Sequence, residues 1–572
     1  MKNVVSYILR SEGKELSDAA KVKSIVIVNE TNRIPRANIL LLDGDVSKQN
    51  FPMSNQDLFK PGKLLEIDIG YESKCKTVFK GIIVKMSIKI RESNASYLEI
   101  ICKHSAAKLT TRKRNHMFFD VNDKDAISQI LDNSKIKHDI KDLTDTTHPQ
   151  LVQYECSDWD FILSRIESNG SLAMFDNETL RVSKPSMTGS DPVKYEYGAN
   201  VISFDAQLDS ESQFGKVESR SWSSADQDIT VEEATSEFRN EIGNISSQEL
   251  AGVLNSEPYV LQHTGNLSLD ELGQWAKAKA VRHELSKIIG YVGVRGNADV
   301  YPGKLIELSG FGDRFSGKAF VTGVRHEVTQ GNWTSHIQFG LSPVWLSQQP
   351  HFNALPAAGM LPAVNGLLVG VVTQLEQDPE NEFRIKVRIP IVNNEEEGIW
   401  ARQAKLYAGD DYGICFAPEI GDEVVVGFLN EDPRKPIILG VLHSSAKASP
   451  LSLSDDNFEK GIISKNGLKI LWDDKKKLLS LSTPGGHKIQ LDDEGKTIAI
   501  QDSNNNKFEM NDQGISLKSA KGLKLSAQEN IEFEGINIQS KASGKFSAEG
   551  NAGAEVKTSS IAVLKGALVQ IN

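Results

Sequence analysis

From Phe508 to Val569 an apolar side chain returns every seven or eight residues: Phe508, Ile515, Leu523, Ile531, Ile538, Phe546, Ala554, Ile561 and Val569. A second series follows two residues behind each: Met510, Leu517, Leu525, Phe533, Ser540, Ala548, Val556, Val563 and Ile571, of which only Ser540 is polar. Side chains on a strand alternate faces, so an apolar pair at i and i+2 marks one short strand with a single inward face. Nine such pairs in succession predict nine equivalent strands stacked along an axis. The glycines between them, such as Gly514, Gly522, Gly535 and Gly544, suit the tight corners this requires. At ~4.8 Å per strand the nine would build a rod of roughly 40 Å, lengthened by looser repeats from Gly461 to Ile500. Two architectures fit: a single-chain solenoid, or three chains that each give one face of a shared triangular prism. An ordinary β-sandwich fits less well, because its strands are longer and less evenly spaced.

Charge bears on what such a rod can touch. Residues 451–572 hold sixteen Lys or Arg and sixteen Asp or Glu, and one proline, Pro484, so the segment is neutral and its ladders are uninterrupted. The whole chain of 572 residues carries a formal charge of −11, which disfavours nucleic acid and anionic membrane as partners. Its length and 39% apolar content allow three or more domains with cores of their own. Cys75, Cys102, Cys156 and Cys415 are scattered without CxxC spacing, which predicts neither a disulfide frame nor a zinc cluster. The short apolar run before Arg10 predicts no secretory signal, and the chain lacks an eighteen-residue apolar run. Synthesis in the cytoplasm, with export by a machine, is the expectation.

The chain divides by pattern. Residues 1 to about 105 read as strands, with Leu64–Glu72 and Ser96–Lys103 alternating in and out. Helices are predicted over Asp120–Asn133 behind an Asp cap, Ser157–Gly170 and Glu271–Gly290, and a polar, acidic surface loop or insertion over about 223–256. Strands follow at Lys304–Gly310 and Lys318–Thr329. Pro350, Pro356 and Pro362 mark a linker, giving a base over 1–345, a linker at 346–365, a compact β module at 366–445 and the repeat region at 446–572.

The module at 366–445 has five predicted strands in some eighty residues, opening with two joined by an Asp378–Pro379 turn, which suggests a small Greek-key barrel of OB type. Its residues are also specific. The runs Lys386-Val387-Arg388-Ile389-Pro390, Trp400-Ala401-Arg402, Pro418-Glu419-Ile420-Gly421-Asp422-Glu423-Val424 and Asp432-Pro433-Arg434-Lys435-Pro436 resemble the barrel of VgrG, the trimeric spike of contractile injection systems. Glu431 departs from that pattern, which usually has glycine before Asp-Pro. Val152–Gly170 and Pro302–Val328 are similar to segments of the family's hub, and the repeat tail is similar to its β-helix.

The resemblance implies a mainly β chain with minor α: a phage-hub-like β-barrel base, an OB-fold barrel and a C-terminal triangular β-helix intertwined in a homotrimer. It implies a needle core at Phe508, Ile515, Leu523, Ile531, Ile538, Phe546, Ile561 and Val569, and contacts to a tip at Ile571 and Asn572. The partners it implies are inner-tube and baseplate proteins at the base and a PAAR-type tip protein or effector at the C-terminal end. A membrane would be met only by mechanical penetration. No cofactor or metal is implied.

Other chemistries fit the residues less well. Trp400, Tyr407 and Tyr412 could stack bases, but residues 366–445 hold seven basic and fourteen acidic side chains, so the aromatics read as core or subunit contacts. Gly312–Lys318 matches GxxxxGK, yet Ala319 stands where Ser or Thr should hold magnesium and a strand is predicted to follow, so a hairpin turn is expected. His283-Glu284 fails the zinc-protease pattern because Lys287 replaces its second histidine. His326 reads as a satisfied core or interface histidine, and Arg112-Lys113-Arg114 as a solvated loop or a contact to an acidic subunit. The expected function is mechanical and non-enzymatic: a spike that caps a tube and is driven through an envelope. The alternatives are a contractile-phage baseplate needle, or a β-solenoid enzyme or adhesin with Asp410 and Asp411 as its candidate carboxylates.

Overall fold

The computed structural model describes every residue except 1–3, 17–19, 93–94, 190, 255–256, 350–353 and 572. It is mainly β, with few helices. Its contacts define two units: Met1–Asn365 with Asn430–Pro433, and Gly366–Leu429 with Arg434–Asn572.

The first unit is built on a 13-stranded sheet. Alternation dictates its strands: Val22–Glu30 buries Ile25 and Ile27, and Leu64–Tyr71 buries Leu65, Ile67 and Ile69. Arg36–Leu42 lies between Val22–Glu30 and Ser96–Lys103, and the ladder continues through Lys74–Ile90 and Leu64–Tyr71 to Val5–Ser11. On its other side Val22–Glu30 takes Gly317–Thr329, with His326 opposite Ile27, so segments some 300 residues apart share one ladder. Each fully buried Ile or Leu of this core contributes ~1.5–3 kcal/mol by leaving water.

Helix ends follow local chemistry. The first helix, α1, spans Asp123–Asn133 and is capped by the Asn122 side chain, which accepts from the N–H of Asp125. The expected Asp cap at Asp120 lies outside it, in a left-handed conformation. Helix α2, Asp158–Ser168, is capped by Ser157. Within the stretch predicted as a surface loop or insertion, Asp228–Ala234 pairs with Val217–Ser223, and α3 spans Ser247–Leu254. The β-branched run Ile229-Thr230-Val231 favours a strand despite its acidic surroundings. Helix α4 spans Leu269–Ser286 and opens with a capping box between Ser268 and Glu271. It ends four residues before the predicted stop, because Ile288–Arg295 enters the sheet beside Val201–Leu208. There a Cβ on Gly290 would lie 2.4 Å from the carbonyl oxygen of Asp205, so only glycine fits.

Gly312–Phe315 forms one helical turn between Leu305–Ser309 and Gly317–Thr329, which pair antiparallel. The GxxxxGK match is therefore a hairpin connection, as expected. Lys113 and Arg114 begin the strand Lys113–Asn122, not a loop, and Arg114 Nε lies 3.1 Å from Asp158 Oδ2. His326 is buried and 2.9 Å from Ser335 Oγ, with burial pushing its pKa down to about 4. His283 is buried against the Ser212 carbonyl at 2.7 Å, and Glu284 accepts from the Asn240 N–H at 2.9 Å.

In the second unit, five strands close into a barrel in the order Leu368–Gln374, Ile385–Arg388, Ile399–Gln403, Pro436–Val441, Glu423–Phe428. Val372, Val387, Ala401, Val424, Val426 and Ile438 fill it. The Asp378 carboxylate accepts from the N–H groups of Glu380, Glu382 and Arg384 and holds the Arg384 guanidinium at 2.6 Å, which fixes the predicted Asp378–Pro379 turn. After the barrel, seven strands from Glu459–Ile463 to Gly514–Lys518 form an antiparallel meander. From Ser519 to Ile571 the described residues form no strand in the single chain.

Candidate functional site

The meander repeats every nineteen residues. Lys469, Lys488 and Lys507 each begin a strand, Asp474, Asp493 and Asp512 each open the following turn, and Gly467, Gly486 and Asn505 each take positive φ in the opposite turns. The register carries this repeat into two apolar rows on one face. Ile462, Ile470, Leu481, Ile489, Ile500, Phe508 and Leu517 stand opposite one another across successive strands. Trp472, Leu479, Leu491, Ile498, Met510 and Ile515 form the second row, with Lys460 at its end. The middle row of the other face holds Leu471, Ser480, Gln490, Ala499, Glu509 and Ser516.

One face is thus continuously apolar, and it is uncovered in the single chain. Trp472, Ile489, Leu491, Ile498 and Ile500 are exposed, and Ile515 retains 71% of its surface. Large exposed apolar patches mark surfaces built to meet another chain. The sequence predicts looser repeats from Gly461 to Ile500 ahead of regular strands from Phe508; in the structure the strands from Glu459 to Lys518 are equally regular. The signal that could have found this regularity is the 19-residue spacing of Lys469, Lys488 and Lys507, hidden from a search for seven- and eight-residue returns.

Of the eight expected core positions, the structure brings Phe508 and Ile515 onto this face, cross-strand from Leu517 and Met510. Leu523, Ile531, Ile538, Phe546, Ile561 and Val569 lie beyond the last strand, all exposed, Ile531 at 49%. Ile571 is 83% exposed, and Asn572 lies outside the described residues. In the single chain these segments have no neighbouring strand, so their N–H and C=O groups are left to water.

Trp400, Tyr407 and Tyr412 do not lie in the barrel core. Tyr407 and Tyr412 flank the short Ala408–Gly409 and Tyr412–Gly413 hairpin, largely exposed, with ring centroids 5.2 Å apart. Trp400 is half-buried beneath the Lys386 ammonium. Asp410 and Asp411 form the exposed turn of that hairpin, where no wall excludes water from a reacting group. Glu431 adopts φ +56°. That left-handed conformation explains why a glycine is at home in this position.

Residues 1–330 match the family model of the Alg8 N-terminal domain. The chain belongs to that family. Residues 368–443, the barrel, match the type VI secretion system/phage-baseplate injector OB domain. Among curated proteins, the chain is 32% identical over 139 residues to the type VI secretion system spike protein VgrG3 of Vibrio cholerae, covering 23% of this chain and 13% of that protein. It is 28% identical over 203 residues to the spike protein VgrG1a of Pseudomonas aeruginosa, covering 33% and 31%. The matches thus span less than a third of the length of these relatives. Among solved structures, an Escherichia coli type VI secretion component, the c3393 protein, is 14% identical with a TM-score of 0.39, over 76% of this chain and 99% of that one. A 43 kDa prophage tail protein from Shewanella oneidensis is 11% identical with a TM-score of 0.44, over 59% and 98%. The sequence resemblance to VgrG spikes stands: the curated relatives are VgrG spike proteins, and the barrel matches the injector OB domain.

Proposed function

We propose that three copies of this chain pool their C-terminal faces into one closed triangular prism, the needle of a contractile injection system's spike. The observation that carries this reading is the two-row apolar face from Ile462 to Leu517, continued in sequence by apolar pairs as far as Val569 and Ile571. A triangular prism buries that face from three sides and gives the segments beyond Lys518 strand neighbours from the other copies. A closed prism also has no free edge at which to fray or aggregate. The role is mechanical and non-enzymatic. The base at 1–345 caps the inner tube and meets baseplate proteins, and Ile571 and Asn572 meet a PAAR-type tip protein or effector. The chain is made in the cytoplasm, enters the apparatus and leaves the cell when the sheath contracts, crossing the target envelope by penetration alone. A phage baseplate would use the same geometry.

Native mass spectrometry of the full chain tests the reading. Three chains of 63.0 kDa give about 189 kDa. A protein that stays monomeric at micromolar concentration refutes it.

A further inference from the structure

The meander's turns lie at two opposite ends, and their charges differ. The end made by residues 463–469, 482–488, 501–507 and 518–521 holds six lysines and one acid, Asp502, a net charge of +5. The end made by residues 457–459, 473–478, 492–497 and 511–514 holds seven acids and four lysines, a net charge of −3. The 19-residue repeat produces this segregation by returning a lysine to the first position of a strand at one end and an Asp to the turn at the other. Several of these groups are tied within the chain: Lys476 to Asp473, Lys460 to Asp474, Lys507 to Glu509 and Lys465 to Glu419. Lys469 and Lys488 are exposed and form no ion pair among the described residues.

We infer that neighbouring copies of this chain meet head to tail along these ends, the Lys469/Lys488 edge of one sheet against the Asp493/Glu494 edge of the next. The inference rests on the assembly proposed above and specifies its seams. A two-fold contact pairs each edge with itself, and would set +5 against +5 and −3 against −3. A heterologous contact pairs unlike edges and closes into a ring when repeated by rotation. Opposite charges attract across such a seam and like charges oppose the wrong docking, so the edges select both partner orientation and register. The apolar face supplies the affinity and the edges supply the direction.

Charge reversal tests this in the full-length protein. Lys469→Glu with Lys488→Glu lowers the basic edge from +5 to +1 and sets glutamates against Asp493 and Glu494; Asp493→Lys with Glu494→Lys turns the acidic edge from −3 to +1 and sets lysines against Lys469 and Lys488. Each double variant is expected to lower the thermal dissociation midpoint of the trimer at low salt by roughly 5 °C or more, with the loss shrinking in 1 M salt. The quadruple variant again sets opposite charges against one another at the four substituted positions, with reversed sign, and is expected to regain part of the loss. A trimeric wild type whose quadruple variant instead shows the sum of the two losses overturns the seam and leaves the assembly standing. A monomeric wild type overturns both.

Discussion

His148 Nδ1 lies 3.1 Å from Glu271 Oε1, tying the strand Thr147–Ser157 to the first turn of α4. On its other side His148 Nε2 is 3.4 Å from Asp123 at the start of α1, and Arg165 of α2 grips the same Asp123 carboxylate at 2.6 and 3.0 Å. The hydrogen bond to Asp123, reinforced by that to Glu271, raises the His148 pKa to about 9. The hydrogen bond from His148 brings Glu271 down to about 2. Burial alone would raise the Asp123 carboxyl, but the hydrogen bonds from His148 and Arg165 outweigh it and hold it below the usual range. A histidine whose folded pKa lies above its unfolded value of 6.5 stabilises fully below pH 6.5, and that contribution is lost as pH rises through about 9. Glu271 works in the opposite direction, contributing above pH 4.5 and failing as pH falls through about 2. The His148–Glu271 pair therefore contributes most between these limits, and the share that depends on His148 is expected to fall by on the order of 3 kcal/mol between pH 6.5 and 9. Thermal melts across that range check it, and a His148→Gln variant is expected to flatten the slope.

A charge placed in the prism should prevent assembly. Ile489 belongs to the first apolar row, opposite Leu481 and Ile500. In the proposed prism Ile489→Asp or Ile531→Asp would put three carboxylates near one axis, and unpaired buried charge is costly enough to prevent that assembly. On gel filtration both variants are expected to elute as monomers. Ser516→Asp, a charge placed on the opposite, exposed face, is expected to elute as wild type.

How much of this was legible in the sequence depends on where each segment finds its partners. The barrel could be read because its core is local: Val372, Val387, Val424 and Val426 alternate within some sixty residues, and Asp378 closes its turn with neighbours. The helices could be read, but their ends shifted wherever a tertiary pairing intervened, as when Ile288–Arg295 left the helical pattern for the sheet. The strand at Asp228–Ala234 was missed because its acidic composition masked the alternation of Ile229 and Val231. The six expected core positions beyond Lys518 are legible as a pattern only, since in the single chain they are exposed.

Glu431 holds a left-handed backbone at φ +56°, next to Asn430 at φ +52°. For a residue with a Cβ this conformation costs roughly 1–2 kcal/mol, which glycine avoids, although glycine gives back part of the gain as unfolded-state entropy. Glu431→Gly is therefore expected to be neutral or to raise the melting temperature slightly. Glu431→Val, β-branched at the same φ, is expected to lower it by several degrees. Differential scanning calorimetry of the two variants side by side reads the difference in sign.

Arg282 of α4 is buried and donates to the carbonyls of Ser342 and Val344 at 2.5 and 3.0 Å, while its third nitrogen faces Glu167 at 3.7 Å. Lys279, one turn earlier, donates to the Pro343 carbonyl at 3.0 Å and lies over the rings of Tyr259 and Trp345, with burial lowering its pKa to about 8. Glu167 also accepts from the Leu346 N–H at 2.9 Å. Two buried cations thus hold three successive carbonyls of the segment by which the chain leaves the sheet at Phe339. Arg282→Ala removes both donors and leaves the Glu167 carboxyl buried without its cation, a loss expected to cost about 3–5 kcal/mol. Arg282→Lys keeps the charge but not the forked geometry, so an intermediate loss is expected. Amide hydrogen exchange distinguishes this local clamp from general destabilisation: protection at Leu341, Leu346 and Gln349 should fall in Arg282→Ala well before protection at Ile25 or Ile27 does.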